Sequence, residues 1–173
     1  MFSRQQQPIR YRCDLITDRY LFSGEIDSGG PVLRYLNDDE RTAIRLINVT
    51  ANLLDPAISS LSSFSHDELM VLKDYTVLLR FADAAALGGS RQLGTEREKL
   101  LVYTERFVIQ GLFHTSSERN RLLDIFEGPT GRWVAVSEAV LQPLIPTTKS
   151  APLTAKVMLL NKTGIQFFHT AQG

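Results

Sequence analysis

Two stretches decide how this chain is read: Thr17-Asp18-Arg19-Tyr20-Leu21-Phe22-Ser23-Gly24 and Thr104-Glu105-Arg106-Phe107-Val108-Ile109-Gln110-Gly111. They stand 87 residues apart and agree in residue class at nearly every position. Each opens with a threonine, an acid and an arginine and then alternates, with Tyr20, Phe22, Gly24 and Ile26 in one and Phe107, Ile109, Gly111 and Phe113 in the other. A period of two marks a strand with one face on a core, because successive side chains point to opposite sides of a sheet. A glycine on the inward face of both strands predicts a sharp bend or bulge, since the missing side chain lets a neighbouring backbone approach. Small barrels need such bends.

Working outward, the same offset returns near the end of each half. Residues 69–76 fall on residues 156–163, again 87 apart, and Phe81 falls on Phe168. Between these anchors Ile44-Arg45-Leu46-Ile47-Asn48 matches Trp133-Val134-Ala135-Val136-Ser137, with the offset slipped to 89. The pattern predicts two copies of one unit of about 70 to 75 residues, a size at which a core is marginal alone and leans on a neighbour. The first unit is expected over 1–81 and the second over 96–173. Residues 82–95, centred on Gly88-Gly89-Ser90, have the composition of a linker.

Five strands and one short helix are expected per unit. Two opening strands lead to a helical turn, carried by Val32, Leu33, Tyr35 and Leu36 in one copy and Leu122, Leu123, Ile125 and Phe126 in the other. A third strand is expected over 43–49 and 132–141. A closing hairpin then turns at Asp74-Tyr75 and at Asn161-Lys162.

The run Leu122-Leu123-Asp124-Ile125-Phe126-Glu127, then Trp133-Val134-Ala135-Val136-Ser137-Glu138-Ala139-Val140, resembles a family of short, uncharacterised bacterial domains whose pattern is similar to Sm-like small barrels. The first copy departs from it, having Arg34-Tyr35 where the second has Asp124-Ile125. The resemblance covers nearly the whole chain. It implies a mainly β fold with short helices, arranged as two tandem Sm-like small β-barrel units. It implies no activity, and no RNA-pocket motif of that superfamily is present.

Composition narrows the function classes. The chain has 173 residues, 43% of them hydrophobic and 22% charged, which is enough apolar matter for a packed core. Nineteen basic residues balance nineteen acidic ones, against a dedicated polyanion binder. The balance is uneven along the chain: residues 1–86 hold nine Lys or Arg and twelve Asp or Glu, and residues 87–173 hold ten and seven. The single cysteine, Cys13, excludes an internal disulfide and fits a reducing compartment. With no apolar run long enough for a signal sequence or membrane span, a cytoplasmic protein without membrane insertion is expected.

No catalytic motif, cofactor motif or metal spacing is legible. His66, His114 and His169 are too scattered to present two imidazoles on one face. Ser65-His66-Asp67-Glu68 reads as turn and capping chemistry in a loop over 57–67, and Cys13 as a small core residue. The expected function is a non-catalytic interaction or assembly module that binds a protein partner or itself through strand edges, the strand holding Leu79 among them. The alternative is weak RNA, DNA or nucleotide binding. It would use Arg10, Arg12 and Arg19, with Arg106 and Arg132, beside Tyr11 and Tyr20 for stacking.

Overall fold

The computed structural model describes residues 10–55, 57, 63–82, 84–87, 96–115, 125–126, 131–147 and 154–171. Ten strands follow one another: β1 (Arg10–Thr17), β2 (Tyr20–Asp27), β3 (Ala43–Leu53), β4 (Ser63–Leu72), β5 (Thr76–Phe81), β6 (Glu96–Thr104), β7 (Phe107–Thr115), β8 (Trp133–Pro143), β9 (Thr154–Asn161) and β10 (Ile165–Thr170). A short helix, α1 (Val32–Leu36), follows β2. Turns of 3-10 helix at Lys73–Tyr75 and Lys162–Gly164 lead into β5 and β10.

All ten strands join one antiparallel sheet in the order β10-β6-β7-β8-β9-β5-β1-β2-β3-β4. The fold is therefore mainly β, and the sheet is not closed: among the described residues β10 and β4 end it with one ladder neighbour each. The first five strands run β5-β1-β2-β3-β4 and the last five β10-β6-β7-β8-β9, so both halves have the same internal order. The halves meet where β5 pairs β9, with Leu78 opposite Leu160, Leu79 opposite Leu159 and Arg80 opposite Met158.

The expected closing hairpins do not form. β4 pairs with β3 and β5 with β1 and β9, so the two strands flanking Lys73–Tyr75 lie at opposite ends of their five-strand block. Leu72 and Thr76 are joined by four residue steps, about 14 Å of extended chain at most. Flat, those five strands would hold β4 and β5 about 19 Å apart. The block must curl back on itself, and the short turn makes two strands look like a hairpin when they are brought together only by that curl.

The curl has a local cause in the glycines. The β2–β3 ladder shifts register between Ser23 and Glu25, around Gly24, and the β7–β8 ladder between Gln110 and Leu112, around Gly111. Facing them, Asn48 and Glu138 adopt left-handed backbone (φ 52° and 51°) and supply the extra residue of each bulge. A Cβ on Gly24 would lie 2.9 Å from the Ile47 carbonyl oxygen, and one on Gly111 would lie 2.5 Å from a Val136 methyl. The bulge also lets the third strand of each half run on to Leu53 and Pro143, past the ends expected from the apolar run.

Three further differences concern the loops. Corresponding turns place Thr42 with Arg132, 90 apart, and Lys73 with Lys162, 89 apart, since Lys73 and Lys162 donate their amides to the Thr42 and Arg132 carbonyls. The offsets of 89 and 87 read from the letters are thus off by one and two, because unequal loops shift numbering without disturbing ladders. Ser65-His66-Asp67-Glu68 lies within β4 rather than in a loop, on a strand exposed along most of its length that leaves no apolar alternation to read. In the expected linker, Ala84–Leu87 form a 3-10 turn with Ala86 and Leu87 buried; residues 83 and 88–95, like Leu122 and Leu123, lie outside the described residues.

Two apolar cores result, and they share strands. Leu15, Phe22, Ile44, Leu46, Leu79 and Phe81 pack in one together with Trp133, Ala135 and Leu159 from the other half. Leu100, Phe107, Ile109, Val134, Val136, Met158 and Leu160 pack in the second together with Ile16, Leu21 and Leu78 from the first half. Along β9, and at Leu78 and Leu79 of β5, successive residues therefore serve alternate cores.

Candidate functional site

Among the described residues each outer strand keeps one backbone edge without a ladder partner, and β4 carries apolar side chains along it. Phe64, Met70 and Leu72 of β4 are exposed, as is Tyr75 in the turn that follows. Beside them lies a groove of about 670 Å³ lined by Tyr20, Phe22, Phe64, Leu69 and Val71. Its aromatic wall is ordered: Tyr20 stacks on Phe22 at 5.5 Å, and Phe64 meets Tyr20 edge-on at 6.2 Å and His66 at 5.5 Å. Alternation puts Phe64 and His66 on one face of β4, so Ser65 and Asp67 point the other way and Ser65-His66-Asp67-Glu68 does not converge.

The other end of the sheet has its own apolar surface. Phe167 on β10 is 56% exposed and stacks on Tyr103 at 4.3 Å. The Tyr103 hydroxyl lies 3.2 Å from His169 Nε2. Phe168, on the opposite face, stacks on Phe126 at 3.9 Å. These edges are carried by Phe64, Met70 and Phe167, which no spacing rule separates from core residues; the signal that could have found them is a pair of strands at the ends of the sheet order.

The five arginines do not form one patch. Arg10 and Arg12 are both exposed on β1, where Arg10 reaches Glu25 at 3.8 Å. Arg19 is exposed in the β1–β2 turn. Arg106 Nη1 donates to the Asp18 carbonyl beside Arg19, so these two turns are brought together. Arg132 pairs with Asp74 and donates from Nε to Asn161 Oδ1 at 3.3 Å. Arg106 and Arg132 thus bind one half of the molecule to the other.

The joint is stitched by further polar bonds. Asn161, fully buried, donates from Nδ2 to the Lys73 and Thr76 carbonyls at 2.9 and 2.8 Å. The Trp133 amide donates to Asn37 Oδ1 at 2.9 Å. Lys73, 2% exposed, donates from Nζ to the Asp38 carbonyl at 2.7 Å, and burial pushes its pKa below the ordinary lysine value. Cys13 lies in the core, where burial first and then neighbouring Asp14 and Glu25 push its thiol up to about 12. Such a thiol is a packing residue rather than a nucleophile.

Among the described residues no group of three or more His, Cys, Asp or Glu side chains is placed to hold a metal ion, and no helix is long and apolar enough to cross a membrane. Comparison with protein-family models, curated proteins and solved structures finds no match to this chain.

Proposed function

We propose that this protein is a non-catalytic interaction module: two Sm-like small-barrel units from a duplicated sequence, working in the cytoplasm, that engage a protein through their outer strand edges. The observation that carries this reading is the pair of outermost strands, β4 and β10, each with one ladder neighbour and with exposed Met70, Leu72 and Phe167 along them. Soluble proteins usually blunt such edges with charge, proline or a covering loop. Strand addition uses the opposite arrangement, with backbone groups giving affinity and alternate side chains giving specificity. The repeated strand order and the matched bulges at Gly24 and Gly111 support a duplicated unit. Engagement of Arg106 and Arg132 within the molecule favours the edges over a nucleic-acid surface.

A photo-reactive amino acid placed in turn at Met70, Phe167 and Arg12 tests this in living cells. Protein adducts from the two edge positions and none from Arg12 are expected. Nucleic-acid adducts at Arg12, with no protein adduct at either edge, would overturn the reading.

A further inference from the structure

We propose that the protein at each edge is a second copy of this chain, with β4 of one molecule pairing antiparallel to β10 of the next. Chains would add head to tail through a repeat of the joint that β9 and β5 make inside the molecule. This rests on the strand-edge reading and specifies its occupant.

The register follows from the ladders. Leu78 and Leu79 lie opposite Ile16 and Leu15, and Phe167 and Phe168 lie opposite Tyr103 and Val102, so β5 and β10 correspond residue by residue. Val71 lies opposite Ile44, and Leu160 opposite Val134, so Leu69, Met70 and Val71 hold the places of Met158, Leu159 and Leu160. The internal pairs Leu78–Leu160, Leu79–Leu159 and Arg80–Met158 then become Phe167–Val71, Phe168–Met70 and His169–Leu69 between chains.

Burial says what is missing. Leu159 and Leu78 are fully buried in the internal joint, whereas their counterparts Met70 and Phe167 are each 56% exposed. In that joint Leu78 and Ile16 leave their own half and fill the core of the other. The counterparts of Leu78 and Ile16 are Phe167 and Tyr103, already stacked at 4.3 Å, and the space that would receive them is the groove of about 670 Å³ against Tyr20, Phe22 and Val71. An aromatic pair entering an apolar groove is the usual form of an interface anchor.

Charge and turn chemistry agree with this direction. Arg106 donates to the Asp18 carbonyl in the internal joint, and its counterpart Arg19, exposed here, would donate to the Glu105 carbonyl of the second copy. The half that offers β4 has three more acidic than basic residues, and the half that offers β10 has three more basic than acidic. The two surfaces differ, so the contact is heterologous and runs on into a closed ring or an open filament.

The test is light scattering after gel filtration, on wild type, Met70→Asp, Phe167→Asp and a mixture of the two variants, with circular dichroism to confirm folding. Both substitutions are at exposed positions and should leave the fold intact. Wild type is expected as a multiple of 19.4 kDa, each variant as a monomer, and the mixture as a one-to-one pair, because each variant keeps the surface the other lacks. A wild-type monomer at the highest soluble concentration, a variant that still assembles, or a mixture that stays monomeric would overturn the proposal. If self-assembly fails while Met70 and Phe167 still cross-link to another protein in cells, the edge reading survives without it. If neither edge cross-links, both fall.

Discussion

The joint between β5 and β9 and the free edges of β4 and β10 use corresponding positions of the same strand pattern, yet the side chains that point away from their own half's core meet opposite fates. At the joint, Leu78, Leu79, Leu159 and Leu160 are fully buried. At the edges, Met70 and Phe167 face solvent by more than half, and Leu72 is 49% exposed where its counterpart Asn161 is fully buried. Burial here is set by what lies across the ladder rather than by residue type. The joint also has a polar lock that the edges lack, since Leu72 cannot make the two hydrogen bonds that Asn161 gives to Lys73 and Thr76. A contact between chains built on the same plan would be weaker and more reversible than the one within the chain.

The sharpest way to break the comparison is Leu79→Pro. Leu79 pairs with both Leu15 and Leu159 at the centre of the sheet, so the strand holding it is no edge, contrary to its reading from sequence. A proline there removes ladder bonding and crowds both neighbours, in a central strand where sheets do not accommodate it. Thermal unfolding monitored by circular dichroism should show a chain that is unfolded or nearly so.

Next come the matched truncations Leu159→Ala and Met70→Ala. The first opens a cavity in the core that Leu159 shares with Leu79 and Trp133 and should cost about 2 to 5 kcal/mol in urea unfolding. The second, on an exposed side chain, should stay within about 0.5 kcal/mol for the isolated chain. Equal losses would show that the two positions do not differ as their burial says.

Asn161→Leu places at the joint the residue found at the edge. It strands the Lys73 and Thr76 carbonyls and should cost about 1 to 3 kcal/mol, read as a lower urea midpoint with an unchanged slope. No loss would mean that the lock contributes nothing and that inner and outer joints are equal in strength.

The smallest effect near neutral pH, where it vanishes, is a pH dependence from Cys13. Its thiol is held at about 12 in the fold against an ordinary 9.0, so the unfolded chain loses the proton first. The stability tied to this group is whole below 9.0 and falls as pH rises through that window toward about 12. Subtracting the profile of Cys13→Ala from that of wild type should isolate this decline, and parallel profiles would show that the thiol is not shielded.

How much was legible depends on which interactions shape each segment. The alternation from Tyr20 to Ile26 and from Phe107 to Phe113 announced strands, and the glycines at 24 and 111 announced the bulges, because both follow from local geometry. Half of β4 reads as a loop from sequence, since an exposed edge strand carries Ser, His and Asp without apolar alternation. Arg10, Arg12, Arg19, Arg106 and Arg132 were grouped by residue type alone. The fold separates the β1 pair from Arg106 and Arg132, because the partners Asp18 and Asp74 come from distant parts of the chain.

The amino-acid order by itself thus determined the alternating strands and the bends at Gly24 and Gly111, both of them matters of side-chain period and backbone freedom over a few residues. Only the tertiary structure decided that β4 and β5 part to opposite ends of a curled block, that β9 seats against β5, and that β4 and β10 have no second neighbour among the described residues. Those outcomes depend on pairing between residues up to about half a chain apart, where ladder pairing and exchange of side chains between two cores outweigh any local preference.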